Sequence, residues 1–275
     1  MIIWLASYPK SGNTWVRLFL NSLLYVNNEE LNINDIKIEQ FPNKKHFTNL
    51  VDDIGNINEL VKNTLNAQSL LNLDNNIKLL KTHSALWKSD SYSFTNDENT
   101  LGVIYIARDP RNVITSIKNH FNKVNYDEAL DFIKHERKFI GLKNVKEEND
   151  VPTLISSWST HYKSWKKIKS NYLLIKYENL LNKPHSEFLK ITDFLKKNTS
   201  FQFNDENIKK AISDCDFEKL KKQESEKGFV ESSIEKSQKF FFLGPKNNWQ
   251  KILDLEIQNE IETYFESEMK ELGYL

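Results

Sequence analysis

Apolar residues occur along this chain in two patterns: short unbroken runs and stripes at helical spacing. The first run, Ile2-Ile3-Trp4-Leu5-Ala6, is closed by Ser7-Tyr8-Pro9. It predicts a strand buried on both faces, as in a parallel sheet. Behind it, Trp15, Leu18, Phe19, Ser22 and Leu23 recur at helical spacing between Thr14 and Tyr25. The opening unit is therefore strand, short loop, helix. Further buried strands are predicted at 77–81, leading into Lys81-Thr82-His83, at 102–107, leading into Arg108-Asp109-Pro110, and at 172–176, leading into Tyr177-Glu178. A helix is predicted from Pro110, at a first-turn position, to about Asn119. Helical spacing also marks 126–140, 153–169, 184–197, 204–213 and 252–272. In the last of these Ile257, Ile261, Tyr264, Phe265, Met269 and Leu272 share one face. The stretches 28–76 and 123–150 are polar, rich in Asn and Lys and poorly patterned, and read as excursions around the sheet.

Strands alternating with helices predict an α/β fold: a mostly parallel central sheet flanked by helices. A chain of 275 residues fits one such domain, 1–275. Sheets of this kind bind ligands at the carboxyl ends of their strands. The chemistry-bearing residues cluster at four such ends: Lys10 to Thr14, Lys81 to His83, Arg108, and Tyr177.

Charge narrows the partners. Lys plus Arg and Asp plus Glu are equal at 38 each, which gives no support to a general nucleic-acid or acidic-membrane binder. Any anion site must be a local construction. The single cysteine, Cys215, excludes an internal disulfide framework and a multi-thiolate metal site. No apolar run approaches the roughly 18 residues of a membrane span, and no signal-peptide pattern opens the chain. The expectation is a cytoplasmic protein.

Ser7-Tyr8-Pro9-Lys10-Ser11-Gly12-Asn13-Thr14-Trp15 lies between a predicted strand and a predicted helix. A helix N-terminus offers free N–H groups and partial positive charge to an anion. Gly12 lets the backbone approach closely. Ser11, Asn13 and Thr14 add donors, and Lys10 adds a full charge. The loop is built like a phosphate cradle, although its lysine precedes the only glycine, unlike the nucleotide-triphosphatase loop. An ordinary helix cap is the bland alternative. At the next strand end, His83 supplies a base that titrates near neutrality, although a lone histidine after a strand is more often a surface or core residue. At the third, the planar fork of Arg108 suits a phosphate, as it would suit an ion pair with Asp109.

Together these elements resemble the family of sulfotransferases that use 3′-phosphoadenosine 5′-phosphosulfate (PAPS). Y-P-K-S-G-N-T-W resembles that family's P-loop-like 5′-phosphosulfate loop. The resemblance implies that Lys10, Ser11, Gly12, Asn13 and Thr14 hold the 5′-phosphate and sulfate, with Trp15 stacked on adenine. K-T-H matches the element carrying the family's catalytic histidine, which implies His83 as base with Lys81 beside it. Arg108 and Ser116 match the R-x-P-x-x-x-x-x-S pattern that reads the 3′-phosphate. Tyr177 matches an adenine-contacting tyrosine. In Cys215-Asp216-Phe217 only Phe217 carries over.

The C-terminal segment from Phe240 to Lys251 resembles the family's R-K-G-x-x-G-x-W-K segment and keeps Gly244 and Trp249. Phe242 and Leu243 replace its Arg-Lys pair, and Asn247 replaces its second glycine. Lys239 and Lys246 are nearby cations that could substitute; weaker PAPS binding or a different donor are the alternatives.

The function implied is in-line transfer of a sulfuryl group from PAPS to a hydroxyl, less readily an amine, of a small acceptor. His83 is the base, Lys10 and Lys81 offset charge, and no metal is required. A homodimer is compatible with this reading. Two alternatives stand beside it. One is a nucleotide-dependent phosphotransferase with an atypical loop, for which Asp109 is a candidate magnesium ligand. The other is a non-catalytic binder of PAP, the desulfated donor. Phe41, Phe47, Trp87, Tyr92, Phe94 and Phe121 wall an acceptor pocket or belong to the core.

Overall fold

The computed structural model of this chain describes residues 1–26, 29–141, 151–232, 239–241 and 244–275. The chain divides into two compact units. The first comprises Met1–Ser11, Glu39–Ala107 and Phe132–Ile175; the second comprises Gly12–Ile38, Arg108–Asp131 and Lys176–Leu275.

The first unit is built on the central sheet. Its strands are β1 (Ile2–Ser7), β2 (Glu39–Gln40), β3 (Lys78–Thr82), β4 (Thr100–Ala107) and β5 (Asn171–Lys176), in the order β2-β3-β1-β4-β5. β1 pairs in parallel with β3 and β4, and β2 in parallel with β3. The register sets Ala6 opposite Thr82 and Ser7 opposite Ile106, so three strands end level with one another. Every residue of β1 is buried, as its unbroken apolar run requires. Trp4 anchors the core: its indole lies 5.5 Å from the ring of Phe41, 5.2 Å from Phe94 and 6.4 Å from Trp165. Its Nε1–H donates to Thr100 Oγ1 at 3.0 Å, which satisfies the one polar group this ring would otherwise bury at a cost. Phe41, Phe47 and Phe94 are thus core residues, at most 2 % exposed.

Three boundaries differ from the periodicity. The helix predicted over 126–140 stops at Lys134, and Phe139–Ile140 instead pairs antiparallel with Thr153–Leu154. The hydroxyls of Ser156 and Ser157 fix this return by donating to Glu136. The helix predicted over 153–169 is therefore shortened to Trp158–Lys166, capped by Ser157 Oγ accepting from Thr160 N. In the second unit the stripe over 252–272 is broken at the buried Phe265 into Leu255–Tyr264 and Glu266–Leu272. Inside the stretch 28–76, helix Ile57–Leu71 buries Leu60, Thr64, Ala67 and Gln68. Half of that face is polar, so hydropathy does not reveal it. Gln68 earns its burial by donating to Phe94 O and accepting from Thr95 Oγ1.

The second unit is helical. Helix α1 (Asn13–Tyr25) stacks Phe19 on Phe188, ring centroids 3.9 Å apart, against helix Pro184–Asn198. Helix Pro110–His120 starts at an Asp109 cap whose carboxylate accepts from Arg111 N and also grips the Arg111 guanidinium. Helix Phe217–Lys227 has no clear apolar stripe and was not legible in the periodicity. Among the described residues no helix is long and apolar enough to cross a membrane.

α1 begins at Gly12, whose φ of 99° is left-handed territory. A Cβ there would also lie 2.5 Å from Tyr177 Cδ2. Gly12→Ala therefore meets both a backbone and a steric penalty. It is expected to destabilise the fold by roughly 2–5 kcal/mol, read by urea unfolding.

Two histidines of the first unit are held neutral by burial. His46 stacks on Phe41 at 5.1 Å, and desolvation pulls its pKa down to about 4. His161, wholly buried, falls to about 3. In the unfolded chain both titrate near 6.5, so between these values the unfolded state binds more protons. Stability is full above pH 6.5 and is lost as pH falls toward 4. The melting temperature should drop steadily from pH 7 to pH 5, and His46→Phe, which keeps the stacked ring, should flatten that slope.

Candidate active site

In the first unit the end of β1 and the residue after β3 meet. His83 Nδ1 lies 2.8 Å from Ser7 O and 3.3 Å from Ser7 Oγ. A carbonyl can only accept, so Nδ1 carries the proton and donates it to Ser7 O. The lone pair is thereby placed on Nε2, the form a general base needs. The backbone behind the ring is braced as well. His161 Nε2–H donates to His83 O at 3.2 Å, and His161 Nδ1 accepts from Tyr105 O–H at 2.8 Å. Because His161 is kept uncharged by burial, it braces this strand end without adding charge beside it. Lys81 is 8 % exposed on β3, and its carbonyl accepts from Phe41 N at 2.8 Å.

The loop after β1 carries the strain expected of an anion cradle. Lys10 has φ 67° and Gly12 φ 99°, and Ser11 N donates back to Tyr8 O at 3.3 Å. Ser11 is 1 % exposed, and its Oγ has no hydrogen-bond partner. A buried unpartnered hydroxyl costs about 1–3 kcal/mol, and an anion received by this loop would remove that cost. Asn13 is buried and Thr14 half-buried at the start of α1.

The second unit draws together residues from four motifs. The edge of the Tyr177 ring fills the space beside Gly12. The Arg108 guanidinium carbon lies 4.2 Å from the centroid of the same ring. Arg108 Nη1 donates to Ser116 Oγ at 3.2 Å. Trp15 meets Tyr177 edge-on at 6.0 Å, and its Nε1–H donates to Cys215 O at 3.1 Å. Arg108 thus meets the Ser116 hydroxyl and the face of Tyr177, while the carboxylate of Asp109 is engaged by Arg111.

Phe217 and Gly244 also come together. Gly244 has φ 48°, and a Cβ on it would lie 2.2 Å from the Phe217 ring. Lys246 is exposed on the short turn Gly244–Lys246. Lys239 Nζ donates to Ser225 Oγ. The substitution of Phe242 and Leu243 for the family's Arg-Lys pair lies outside the described residues.

Three further residues make contacts that local pattern does not foretell; of these only Asn247 stands out in the sequence, where it replaces a family glycine. His161 lies mid-helix, away from any strand end. Glu231 accepts from Thr14 Oγ1 at 3.3 Å and from Arg17 Nη1 at 2.6 Å, placing a carboxylate at the first turn of α1, where a helix favours negative charge. Asn247 reaches Ser116 Oγ through Nδ2 at 3.2 Å.

The chain is similar to known proteins along nearly its whole length. The family model for the sulfotransferase domain matches residues 2–273. Human sulfotransferase 1E1 is 24% identical over 280 residues, covering 97% of this chain and 83% of that protein. The crystal structure of mouse sulfotransferase SULT7A1 complexed with PAP superposes with a TM-score of 0.58 at 19% identity, covering 98% of this chain and 84% of that one. Retinol dehydratase in a complex with retinol and PAP gives 0.59 at 18% identity, covering 98% and 81%. A domain match running nearly end to end, over a mostly parallel sheet, means that this chain belongs to the sulfotransferase-domain family.

Proposed function

We propose that this PAPS-dependent sulfotransferase binds its donor through the residues described above and sulfates a hydroxyl of a small soluble molecule. The observation that carries the donor reading is the run Gly12–Tyr177–Arg108–Ser116, in which motifs far apart in sequence touch in succession. Lys10, Ser11, Gly12, Asn13 and Thr14 would hold the 5′-phosphosulfate end. The orphaned Ser11 hydroxyl supports this assignment. Arg108 and Ser116 would hold the 3′-phosphate. Trp15, Tyr177 and Phe217 offer aromatic surface for adenine, and Gly244 lets the chain pass close to Phe217. We read residues 1–275 as a single sulfotransferase domain, with the whole located in the cytoplasm.

The donor supplies a sulfuryl group already activated on a phosphate leaving group. His83 then takes the acceptor's hydroxyl proton at Nε2, the nitrogen left basic by the Nδ1–H bond to Ser7 O. The imidazolium so formed keeps that bond, and the carbonyl stabilises its charge. Lys10 and Lys81 place positive charge where negative charge grows on the transferring and leaving oxygens. The small-molecule acceptor is supported by the retinol bound in one structural neighbour. A magnesium-dependent phosphotransferase is less well supported. Asp109, the strand-end acid it would call on, is occupied by Arg111 and by the cap of its helix.

Two experiments test this reading. His83→Ala should bind PAP as the wild type does in calorimetry, yet lose at least about a hundredfold in turnover. Near-normal turnover would remove His83 from the mechanism. Arg108→Ala should weaken PAP by roughly tenfold to several hundredfold while leaving adenosine 5′-phosphate, which lacks the 3′-phosphate, far less affected. Equal weakening of both nucleotides would show that Arg108 does not read the 3′-phosphate, and an exposed Lys246→Ala variant serves as the control for a substitute cation.

A further inference from the structure

We propose that Asn247, which stands where the family's segment has a glycine, is a positioning residue that dedicates the Ser116 hydroxyl to donating a hydrogen bond to the donor's 3′-phosphate. The inference rests on the reading of Arg108 and Ser116 as the 3′-phosphate site.

The argument begins with the capacity of one hydroxyl. A serine Oγ has two lone pairs and one proton. Ser116 Oγ accepts from Arg108 Nη1 at 3.2 Å and from Asn247 Nδ2 at 3.2 Å. Both lone pairs are thus used, and only donation remains. A serine within a helix ordinarily turns its proton back to the carbonyl four residues earlier, which for Ser116 is Asn112 O. That carbonyl already serves the helix ladder and accepts from Asn247 Nδ2 at 3.2 Å. One amide group therefore fills the second lone pair of Ser116 and competes for the local acceptor of its proton.

The orientation of the amide is fixed by its surroundings. Asn112 O can only accept, so the nitrogen of Asn247 must face it. On the other side Asn247 Oδ1 lies 2.8 Å from Thr115 Oγ1, whose one proton is shared between it and Asn112 O, also at 2.8 Å. Thr115 is 1 % exposed, so this contact is shielded from competing water. Held in this way, Ser116 presents its proton to an anion, next to the guanidinium that the same anion would meet. A phosphate oxygen accepts and does not donate, so it is the ligand that a dedicated donor suits. Glycine at this position would leave Ser116 free to rotate its proton toward Asn112 O.

The test is the ratio of dissociation constants for PAP and adenosine 5′-phosphate, measured by calorimetry on the full chain. Asn247→Gly should weaken PAP by about three- to tenfold and leave adenosine 5′-phosphate unchanged. Asn247→Asp should lower the preference further, because a carboxylate draws the Ser116 proton to itself. In a Ser116→Ala background, Asn247→Gly should have no further effect on the ratio; a residue with a merely structural role would weaken both nucleotides, in either background. Unchanged preference in Asn247→Gly, or an effect that persists in full without the Ser116 hydroxyl, overturns the proposal. Should Asn247→Gly fail to fold, Asn247→Ala makes the same deletion with less backbone freedom and is read by the same criteria. Failure of the underlying reading looks different: Arg108→Ala would then leave the ratio at its wild-type value.

Discussion

The turn from β1 into α1 has room for no side chain at Gly12, because the ring of Tyr177 already fills the space a Cβ would take. The backbone there is left-handed, which glycine adopts at little cost. Much of the site follows from this contact. The ring edge against Gly12 leaves one face of Tyr177 for the Arg108 guanidinium. Arg108, so placed, reaches Ser116 one helical segment later, and Ser116 is in turn met by Asn247. A substitution at Gly12 would therefore displace a ring before it displaced a loop, and the cation beyond the ring would move with it.

The formal net charge of the chain is zero, and neighbouring basic residues take different tasks. Arg111 is buried and held by Asp109, Glu262, the carbonyl of Tyr274 and the face of Trp249. It joins the helix Pro110–His120 to the C-terminal helices, and removing it would strand the buried carboxylate of Asp109. Arg108, three residues earlier, meets a hydroxyl and an aromatic face. The same residue type thus serves structure at one position and, in our reading, recognition at the other.

His83 illustrates a similar economy. Its tautomer is set by a backbone carbonyl of β1, a group that cannot itself titrate. The brace behind it, His161, is held neutral by burial. Neither partner changes charge near neutral pH, which in our reading leaves proton exchange with an acceptor to His83.

The sequence by itself determined four strands of the central sheet, the glycine-containing loop after the first of them, and the order of motifs; the fourth strand, expected to be buried, is instead a partly exposed edge strand with only Ile175 buried. Each is written in local pattern: an unbroken apolar run, a glycine before a helix, a basic residue at a strand end. It also marked Phe242 and Leu243 as departures from the family. Tertiary structure decided what local pattern does not encode. The polar face of helix Ile57–Leu71 is buried because Gln68 finds partners near Phe94 and Thr95, far along the chain. The stripe from 126 to 140 is cut short because Ser156 and Ser157 capture Glu136. His161 and Asn247 acquire their places only when distant segments return to His83 and Ser116. Hydrophobic period reports which residues leave water, whereas a hydrogen bond between residues a hundred positions apart depends on where two backbones meet, and that is fixed only once the chain has folded.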